Sequence, residues 1–358
     1  MSNLNPGAES SVEDASLELE LERESEPRDI GSSLLTPRTA ISFLLALVVF
    51  YFVIRRTNLD LGEALRQIRQ ANFFYFLGAL AAYYFTFVIR GWRWSKMLAS
   101  AGISEETGHD MPDTVGMFEI FTLSWFVNSI LPARMGDAYR CYLIKRRANA
   151  SFGISLGTML AERLVDLVVL VLMLLVAGIA VYGTHAPDRA ENAFLVGGVV
   201  VVIGVTGVVV LWLLRNRIEG FLPAKIARVY ARVRNGLFDS LAQPRTPVLV
   251  SVGIWLCDGL RVFLVAWALG QHISYQAAIM VALLSALVST VPITPAGLGF
   301  VEGIMIYALT TIGVPNSTAG AIALLDRVVT YGSLLIVGGI MYLWVLRKDL
   351  RAIDARPD

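Results

Sequence analysis

The amino-acid sequence predicts an all-α protein: a polytopic membrane helix bundle with about six full spans and two re-entrant or broken helical hairpins, arranged as an inverted repeat. Three observations predict it: the composition is strongly apolar, long apolar runs recur, and two shorter runs break at proline and glycine. The 358 residues are 56% hydrophobic and 16% charged, with a mean hydropathy of +0.62. Soluble domains carry about 25% charged residues, so this composition is typical of a membrane protein.

The charge balance and the metal-binding residue types exclude several classes of protein. The formal net charge of +1 argues against a nucleic-acid partner. Cys141 and Cys257 lie in or beside apolar runs and form no CxxC pair, so neither a disulfide framework nor a zinc site is expected. The three histidines are scattered near predicted loops. We therefore expect no metal and no cofactor.

The two ends of the chain differ from its middle. Residues 1–38 contain the Glu-rich stretch LELELERESEPRD, which has too little apolar surface to bury and predicts a disordered acidic tail. A basic segment and a cleavage site, the marks of a signal peptide, are missing. A solvated tail and a regulatory arm both fit this segment. Residues 347–358 are expected to form a cytoplasmic C-terminal tail.

Six apolar runs approach or exceed the length that crosses a bilayer, which is about 20 helical residues. They are residues 39–54, 73–89, 155–182, 193–214, 247–270 and 319–345. Two shorter runs, 115–131 and 276–291, each end at a proline and a glycine-containing turn. Such a break is typical of a re-entrant or interrupted helix, so these two runs predict hairpins.

Basic residues in the loops predict the orientation of the spans. The loop 215–246 is rich in Arg and Lys and is expected in the cytoplasm, whereas 183–192 is poor in them and is expected outside. The segment from Arg90 to Lys96 then lies in the cytoplasm, and the two hairpins enter from opposite faces. The arginines of 55–72, predicted outside, depart from the rule locally. We expect a multi-pass protein of the cell (inner) membrane.

A further segment, 218–243, predicts a basic amphipathic helix on the inner leaflet, where it would attract anionic lipid. A solvated connector is the alternative for this segment.

The two broken runs resemble each other. Pro132 and Pro295 each precede a glycine by four positions, Gly136 and Gly299. An acidic residue followed by arginine comes about 30 positions after each proline, in the pairs Glu162–Arg163 and Asp326–Arg327. Each half therefore has the order span, hairpin, span, and the loop charges place the halves in opposite orientations. Transporters with this plan bind their substrate near the membrane midplane, between the repeats.

Ionisable side chains lie inside the predicted membrane segments, where each costs about 2.5–3.5 kcal/mol unless it is paired or hydrated. Glu162 and Asp166 share one helix face, and Arg163 is placed to pair with Asp166. Asp258 and Arg261 have the same spacing. One interpretation is that these charges are internal salt bridges that hold the bundle together. The other is that they line a binding site.

Arginine is the natural partner of a phosphate, because its planar guanidinium donates two parallel hydrogen bonds. Arg134, Arg140 and Arg163, beside helix ends within the membrane, suit a lipid phosphate or an anionic head group. The acidic residues around them pair with these arginines when no ligand is present, or take up protons. Gly297 and Gly299 set the second tip together with its prolines, and a tight turn without ligand contact fits them equally well.

Five stretches resemble the flippase-like family of the lysylphosphatidylglycerol synthase transmembrane region. They are GWRWSKML, NSILPARMGDAYRCYLI, SLGTMLAERLVDL, VPITPAGLGFVEG and ALLDRVVTYGS, spread over nearly the whole membrane domain, 39–346. The resemblance implies a lipid-handling integral membrane protein. In fused relatives such a region stands beside a soluble aminoacyl-transfer or glycosyl-transfer domain and is thought to move the modified lipid across the bilayer. Residues outside 39–346 are too few and too polar for such a domain, so we expect no aminoacyl-transfer activity.

The resemblance also implies a set of substrate-binding residues at matching positions of this chain. They are Arg134, Gly136, Asp137, Arg140, Glu162, Arg163, Asp166, Pro295, Gly297, Gly299, Glu302, Asp326 and Arg327.

Three functions fit the sequence. The first is a lipid flippase or transporter for an anionic, aminoacylated or polyprenyl-linked lipid. The second is a membrane-embedded enzyme acting on a lipid phosphate, which the absence of Ser-His, HExxH and DxD patterns disfavours. The third is a membrane subunit of a separate soluble transferase. We expect a protein without enzymatic activity whose partner is a membrane lipid, with a soluble transferase as a second possible partner; the sequence does not set the oligomeric state.

Overall fold

The computed structural model describes residues 60–131, 134–183, 223–290 and 294–354, with a few positions between 44 and 55. In these four ranges the regular structure is helical, and the all-α prediction is confirmed. The predicted tail 1–38, the predicted span 193–214 and most of the predicted span 39–54 lie outside the described residues. So do Pro132, Pro292 and the last four residues of the predicted C-terminal tail.

Eleven α-helices follow one another in the four ranges. In chain order they are α1 (Leu61–Arg69), α2 (Phe73–Ser100), α3 (Thr114–Ile130), α4 (Met135–Ala148), α5 (Phe152–Tyr182), α6 (Ala224–Asp239), α7 (Arg245–Ala268), α8 (Tyr275–Ser289), α9 (Phe300–Thr311), α10 (Asn316–Arg327) and α11 (Ser333–Asp354). A π-helical turn, Val328–Gly332, joins α10 to α11 without a break.

Four helical segments of the described chain are long and apolar enough to cross a membrane. They are α2, α5, α7 and the segment from Asn316 to Arg347, and they coincide with four of the six predicted spans. The predicted end of one span was wrong: α2 does not stop at Arg90 but continues for ten residues to Ser100. This extension carries two arginines into the interior of the bundle.

Both predicted hairpins are present as pairs of short helices. The first consists of α3 and α4, with 17 and 14 residues, and the second of α8 and α9, with 15 and 12 residues. Each helix is shorter than the roughly 20 residues that a full span needs. The hairpin tips therefore lie part of the way along the neighbouring long helices.

The tip of the first hairpin is set by backbone constraints. Arg134, the N-cap of α4, has a left-handed backbone with φ of 56°. Gly136 follows so close to α3 that a Cβ atom there would lie 1.9 Å from the backbone oxygen of Ser124. Instead, the Ser124 hydroxyl donates to the Gly136 carbonyl, and the Gly136 N–H donates to the Asn128 side chain, both at 2.8 Å. Glycine is thus the residue that lets α4 turn back against α3.

The first spans of the two halves pack antiparallel. The N–H of Asn72, at the start of α2, donates to the carbonyl of Ala268, at the end of α7, at 2.8 Å. Further along both helices, Arg90 pairs with Asp258 at 3.2 Å. Each half has the order span, hairpin, span, and their first spans run in opposite directions, as the predicted inverted repeat requires.

The predicted amphipathic segment forms α6, which packs against α5 at very close range. A Cβ atom at Gly157 of α5 would lie 2.1 Å from the carbonyl oxygen of Val233, and one at Gly236 of α6 would lie 2.2 Å from the carbonyl oxygen of Ile154. The two backbones therefore touch through glycine on both sides. This contact fixes α6 to the long helix that carries several of the candidate site residues.

Candidate functional site

A cavity of about 630 Å³ lies between the two halves and is lined by both hairpins and by all four long helical segments. Its wall combines apolar side chains with an unusual number of charges. The arginines in the wall are Arg90, Arg134, Arg163, Arg261 and Arg327, and the carboxylates are Asp137, Asp166, Asp258 and Asp326.

The carboxylates on α5 and α7 lie near the middle of these long helices. Asp166 is 14 residues from the first residue of α5 and 16 from the last, and Asp258 is 13 residues from the start of α7 and 10 from its end. With a rise of about 1.5 Å per residue, each carboxylate is roughly 15–25 Å from the helix ends. That depth corresponds to the hydrocarbon core of a bilayer about 30 Å thick.

Eight of the buried charges form one chain in which arginines and carboxylates alternate. Each residue forms an ion pair with the next one in the series, either between two helices or within one helical turn. The residues at both ends of the series are buried. The order is Arg140, Glu162, Arg93, Asp166, Arg90, Asp258, Arg261 and Asp326. We call this series the alternating chain.

Arg93 is the best-paired member of the alternating chain. Its side chain is fully buried, and its guanidinium donates to Glu162 at 2.7 Å and to Asp166 at 2.9 Å. It also donates to the hydroxyl of Ser251 on α7. Arg93 thus joins α2, α5 and α7 by charge-assisted hydrogen bonds, which are stronger than neutral ones.

Aromatic rings enclose two arginines of the alternating chain. The guanidinium of Arg140 lies 4.4 Å from the ring centre of Trp94 and 4.5 Å from that of Phe121. Arg90 lies 5.5 Å from Trp125 and 5.6 Å from Trp255. Ring faces attract cations within about 6 Å, so these aromatics compensate part of the cost of burying the charge.

The second hairpin contributes a separate ion pair. Arg327, at the end of α10, donates to Glu302 at 2.9 Å, and the other carboxylate oxygen of Glu302 accepts the N–H of Gly299 at 2.7 Å. Glu302 therefore caps the first turn of α9 and neutralises an arginine with the same carboxylate.

The first hairpin carries a different arrangement, in which two arginines share one carboxylate. Arg163 donates to Asp137 at 2.7 Å, and Arg134 donates to the other carboxylate oxygen at 3.3 Å. The Asn128 amide also donates to Asp137, at 3.2 Å, and Arg134 reaches across to the carbonyl of Ser289 at the end of α8, at 3.3 Å. We call Arg134, Asp137 and Arg163 the tip triad.

Some polar atoms in the cavity wall are buried without a hydrogen-bond partner among the described residues. They include Nε of Arg163, Nη2 of Arg327 and the indole Nε1 of Trp255. A buried donor without an acceptor costs about 1–3 kcal/mol. A ligand with several acceptor oxygens would satisfy these donors.

The structure brings the thirteen predicted site residues into one region, in two layers. Eight of them line the cavity: Arg134, Asp137, Arg163, Asp166, Pro295, Gly297, Asp326 and Arg327. The other five lie behind the wall: Arg140, Glu162 and Glu302 are buried in ion pairs, and Gly136 and Gly299 shape the hairpin tips.

The predicted pairing within α5 differs from the observed one. Arg163 pairs with Asp137 of α4, not with Asp166, because Asp166 faces α2 and is bound by Arg93 and Arg90. The second predicted pair, Asp258 with Arg261, is present at 3.7 Å as a link of the alternating chain.

Sequence reasoning missed Arg90 and Arg93 as site residues because it placed them in a cytoplasmic loop. The structure buries both, with 5% and 0% of their surface exposed. Their spacing of three residues puts them on one helix face, and aromatic residues surround them in the stretch IRGWRW. That combination within an apolar run is the signal that would have found them.

The fold and the site define an integral membrane protein whose two halves enclose a charged cavity. The family model of the lysylphosphatidylglycerol synthase transmembrane region matches residues 39–338, and the chain belongs to this family.

Curated relatives agree with this assignment. A UPF0104 membrane protein of Methanocaldococcus jannaschii is 28% identical over 63% of this chain and 97% of its own length. A UPF0104 membrane protein of Methanothermobacter thermautotrophicus is 24% identical over 77% of this chain and 87% of its own length. The chain is also 23% identical to glycosyltransferase AglD of Haloferax volcanii, over 86% of this chain and 54% of that relative.

Proposed function

We propose that this protein moves a lipid across the membrane by admitting the head group to the cavity while the acyl chains stay in the bilayer. The observation that carries the proposal is that the tip triad and five members of the alternating chain, Arg90, Asp166, Asp258, Arg261 and Asp326, line one cavity. A polar head group that crosses hydrocarbon alone must give up its hydration. A cavity wall of arginines and carboxylates replaces that hydration at the depth where the cost is greatest.

The arrangement of the two halves supports transport rather than static binding. Antiparallel first spans and two hairpins that meet near the midplane are the plan of transporters in which one half moves against the other around a fixed site. Arg134 of the first tip contacts Ser289 of the second hairpin. Residues of both halves therefore form the site.

The substrate in this proposal is an anionic, aminoacylated or polyprenyl-linked lipid. The arginines in the wall suit the phosphate that these lipids share. Under the same proposal the protein acts without catalysing a reaction, binds no nucleic acid and resides in the cell (inner) membrane.

Translocation by purified protein in proteoliposomes tests the proposal. Fluorescent phosphatidylglycerol is placed in both leaflets, and dithionite, which does not cross the bilayer, quenches the outer leaflet. Protein-dependent quenching beyond the outer-leaflet fraction is expected, and Arg134→Ala and Arg163→Ala should lower its rate to that of empty liposomes.

Arg147→Ala is the matched control for this experiment. Arg147 also pairs with a carboxylate, that of Glu119, and its side chain is 27% exposed against 28% for Arg134, but it does not line the cavity. The rate of lipid translocation by Arg147→Ala should equal that of the wild type. Wild-type protein that moves no lipid, or tip variants as fast as Arg147→Ala, would contradict the proposal.

A second candidate function is that of a membrane subunit for a separate lipid-modifying transferase. The match to about half of glycosyltransferase AglD favours it, because in that relative a homologous region is joined to further sequence. Purification of the tagged chain from its native membrane, followed by mass spectrometry, tests this function: a stoichiometric transferase would support it, and the chain alone would count against it.

A further inference from the structure

The buried charges of the described residues do not balance. Seven arginines and six carboxylates form the connected ion pairs in and around the cavity. The alternating chain holds four of each and is neutral, and Arg327 with Glu302 is neutral as well. The tip triad holds two arginines and one carboxylate. The site therefore has an excess of one positive charge, and the excess is located at the first hairpin tip.

The excess charge lies where a ligand can reach it. The side chains of Arg134 and Arg163 are 28% and 30% exposed, whereas the five other arginines of these ion pairs are between 0% and 16% exposed. The two arginines line the cavity from different helices, Arg134 from the start of α4 and Arg163 from within α5, with Asp137 between them. The alternating chain is already neutral, so a ligand at the tip meets one uncompensated charge.

We infer that the site selects head groups with a single negative charge, and in particular phosphate diesters. This inference rests on the proposed function and narrows its substrate class. Uncompensated charge is costly in a low-dielectric interior, so the occupied cavity is most stable when the ligand brings the sum to zero. A phosphate diester carries one negative charge, whereas a phosphate monoester carries about 1.5 to 2 at neutral pH.

The donors at the tip match a diester in number as well as in charge. A diester has two non-bridging oxygens, and the tip offers two guanidinium groups that a single carboxylate now holds together. In the part of the chain that the structure describes, Arg134 donates to Asp137 and to Ser289 at 3.3 Å each, and Nε of Arg163 has no partner. One phosphate oxygen for each guanidinium would give Arg134 a closer acceptor and would satisfy the Nε–H of Arg163.

The proposed lipids differ in how well their charge matches the tip triad. Phosphatidylglycerol and a polyprenyl monophosphate joined to a sugar are both singly charged diesters and fit the site. Diphosphate-linked lipids carry too much negative charge. An aminoacylated lipid whose amino groups make it a net cation is repelled by the two arginines, and a zwitterionic lipid leaves the excess charge in place.

Binding and translocation measured on the same full-length protein test the inference. The protein is held in nanodiscs of neutral lipid, and a fluorescent phosphatidylglycerol is displaced by unlabelled phosphatidylglycerol, phosphatidic acid, phosphatidylethanolamine or lysyl-phosphatidylglycerol. Phosphatidylglycerol should compete at least about tenfold better than each of the others, which corresponds to one charge-assisted hydrogen bond.

Two variants move the charge in opposite directions. Asp137→Asn, which keeps the shape of the side chain, leaves a second positive charge and should shift the preference to phosphatidic acid by about tenfold. Arg134→Gln makes the triad neutral and should abolish the preference for phosphatidylglycerol over phosphatidylethanolamine. Arg147→Gln removes an arginine outside the cavity and should keep the wild-type preference.

The outcomes separate this inference from the function it rests on. Wild-type protein that translocates all four lipids equally, or an Asp137→Asn variant with unchanged preference, overturns the inference and leaves translocation standing. Selective binding of phosphatidylglycerol without translocation in proteoliposomes overturns the proposed function and keeps the charge selection of the site.

Discussion

Replacement of Arg93 by methionine tests whether the alternating chain holds the bundle together. Arg93 has no exposed surface, and it is the shared partner of Glu162 and Asp166. In the variant Arg93→Met, Glu162 retains Arg140 at 2.8 Å, whereas Asp166 retains Arg90 at 3.7 Å and the neutral hydroxyl of Ser251 at 2.9 Å. The buried chain then carries one uncompensated negative charge.

The expected loss of stability follows from that charge. Removal of one partner from a buried ion pair costs about 3–5 kcal/mol, because the other charge stays buried. At about 2–4 °C per kcal/mol for a chain of a few hundred residues, the midpoint of thermal unfolding should fall by roughly 6–20 °C. Arg147→Met removes a partly exposed partner of Glu119 and should cost at most about 1 kcal/mol.

A second substitution distinguishes charge from packing. Asp166→Asn added to Arg93→Met restores neutrality, so the double variant should be more stable than Arg93→Met alone by about 1 kcal/mol or more. Thermal unfolding in detergent, followed by the loss of monodisperse protein, measures all variants. The reasoning is refuted if Arg93→Met unfolds at the temperature of Arg147→Met, or if the second substitution lowers the midpoint further.

Two other perturbations test the close helix contacts and the second tip. Gly157→Ala places a Cβ atom 2.1 Å from the carbonyl oxygen of Val233 and should destabilise the protein by about 1–3 kcal/mol. Gly253→Ala meets no described atom of another helix within 4 Å of its Cβ position and should unfold at the wild-type temperature. Equal unfolding midpoints for the two variants would contradict the packing of α6 on α5. Glu302→Gln removes the charge that neutralises Arg327 while an amide oxygen can still cap α9, so it should lower stability by about 1–3 kcal/mol and change the rate of lipid translocation; an unchanged midpoint would show that this pair is not buried as described.

Local signals in the sequence were enough to predict both hairpins and the four spans that lie in the described residues. Continuous apolar runs give the long helices directly, and the Pro/Gly breaks near Pro132 and Pro295 mark the two tips. Gly136 and Gly299 also recur at equal distances from these prolines, which made the repeat visible.

The partners of the buried charges were not predictable in the same way. Arg90 and Asp258 are separated by 168 positions, and Arg93 and Asp166 by 73, so no spacing rule links them. The rule that basic residues mark cytoplasmic loops also assigned Arg90 and Arg93 to the wrong environment. Arginine inside a membrane helix is rare, and only the fold shows which carboxylates pair with it.

The left-handed backbone at Arg134 means that charge and backbone preference oppose each other at this position. A side chain at φ of 56° costs about 1 kcal/mol relative to a relaxed one, and the corresponding residue of the second half, two positions after its proline, is Gly297, with φ of 68°. Arg134→Gly should therefore relieve the backbone while it removes a guanidinium from the tip. Selection of variants for thermal stability alone would favour glycine at this position. The selected protein would be more stable but would bind lipid less tightly.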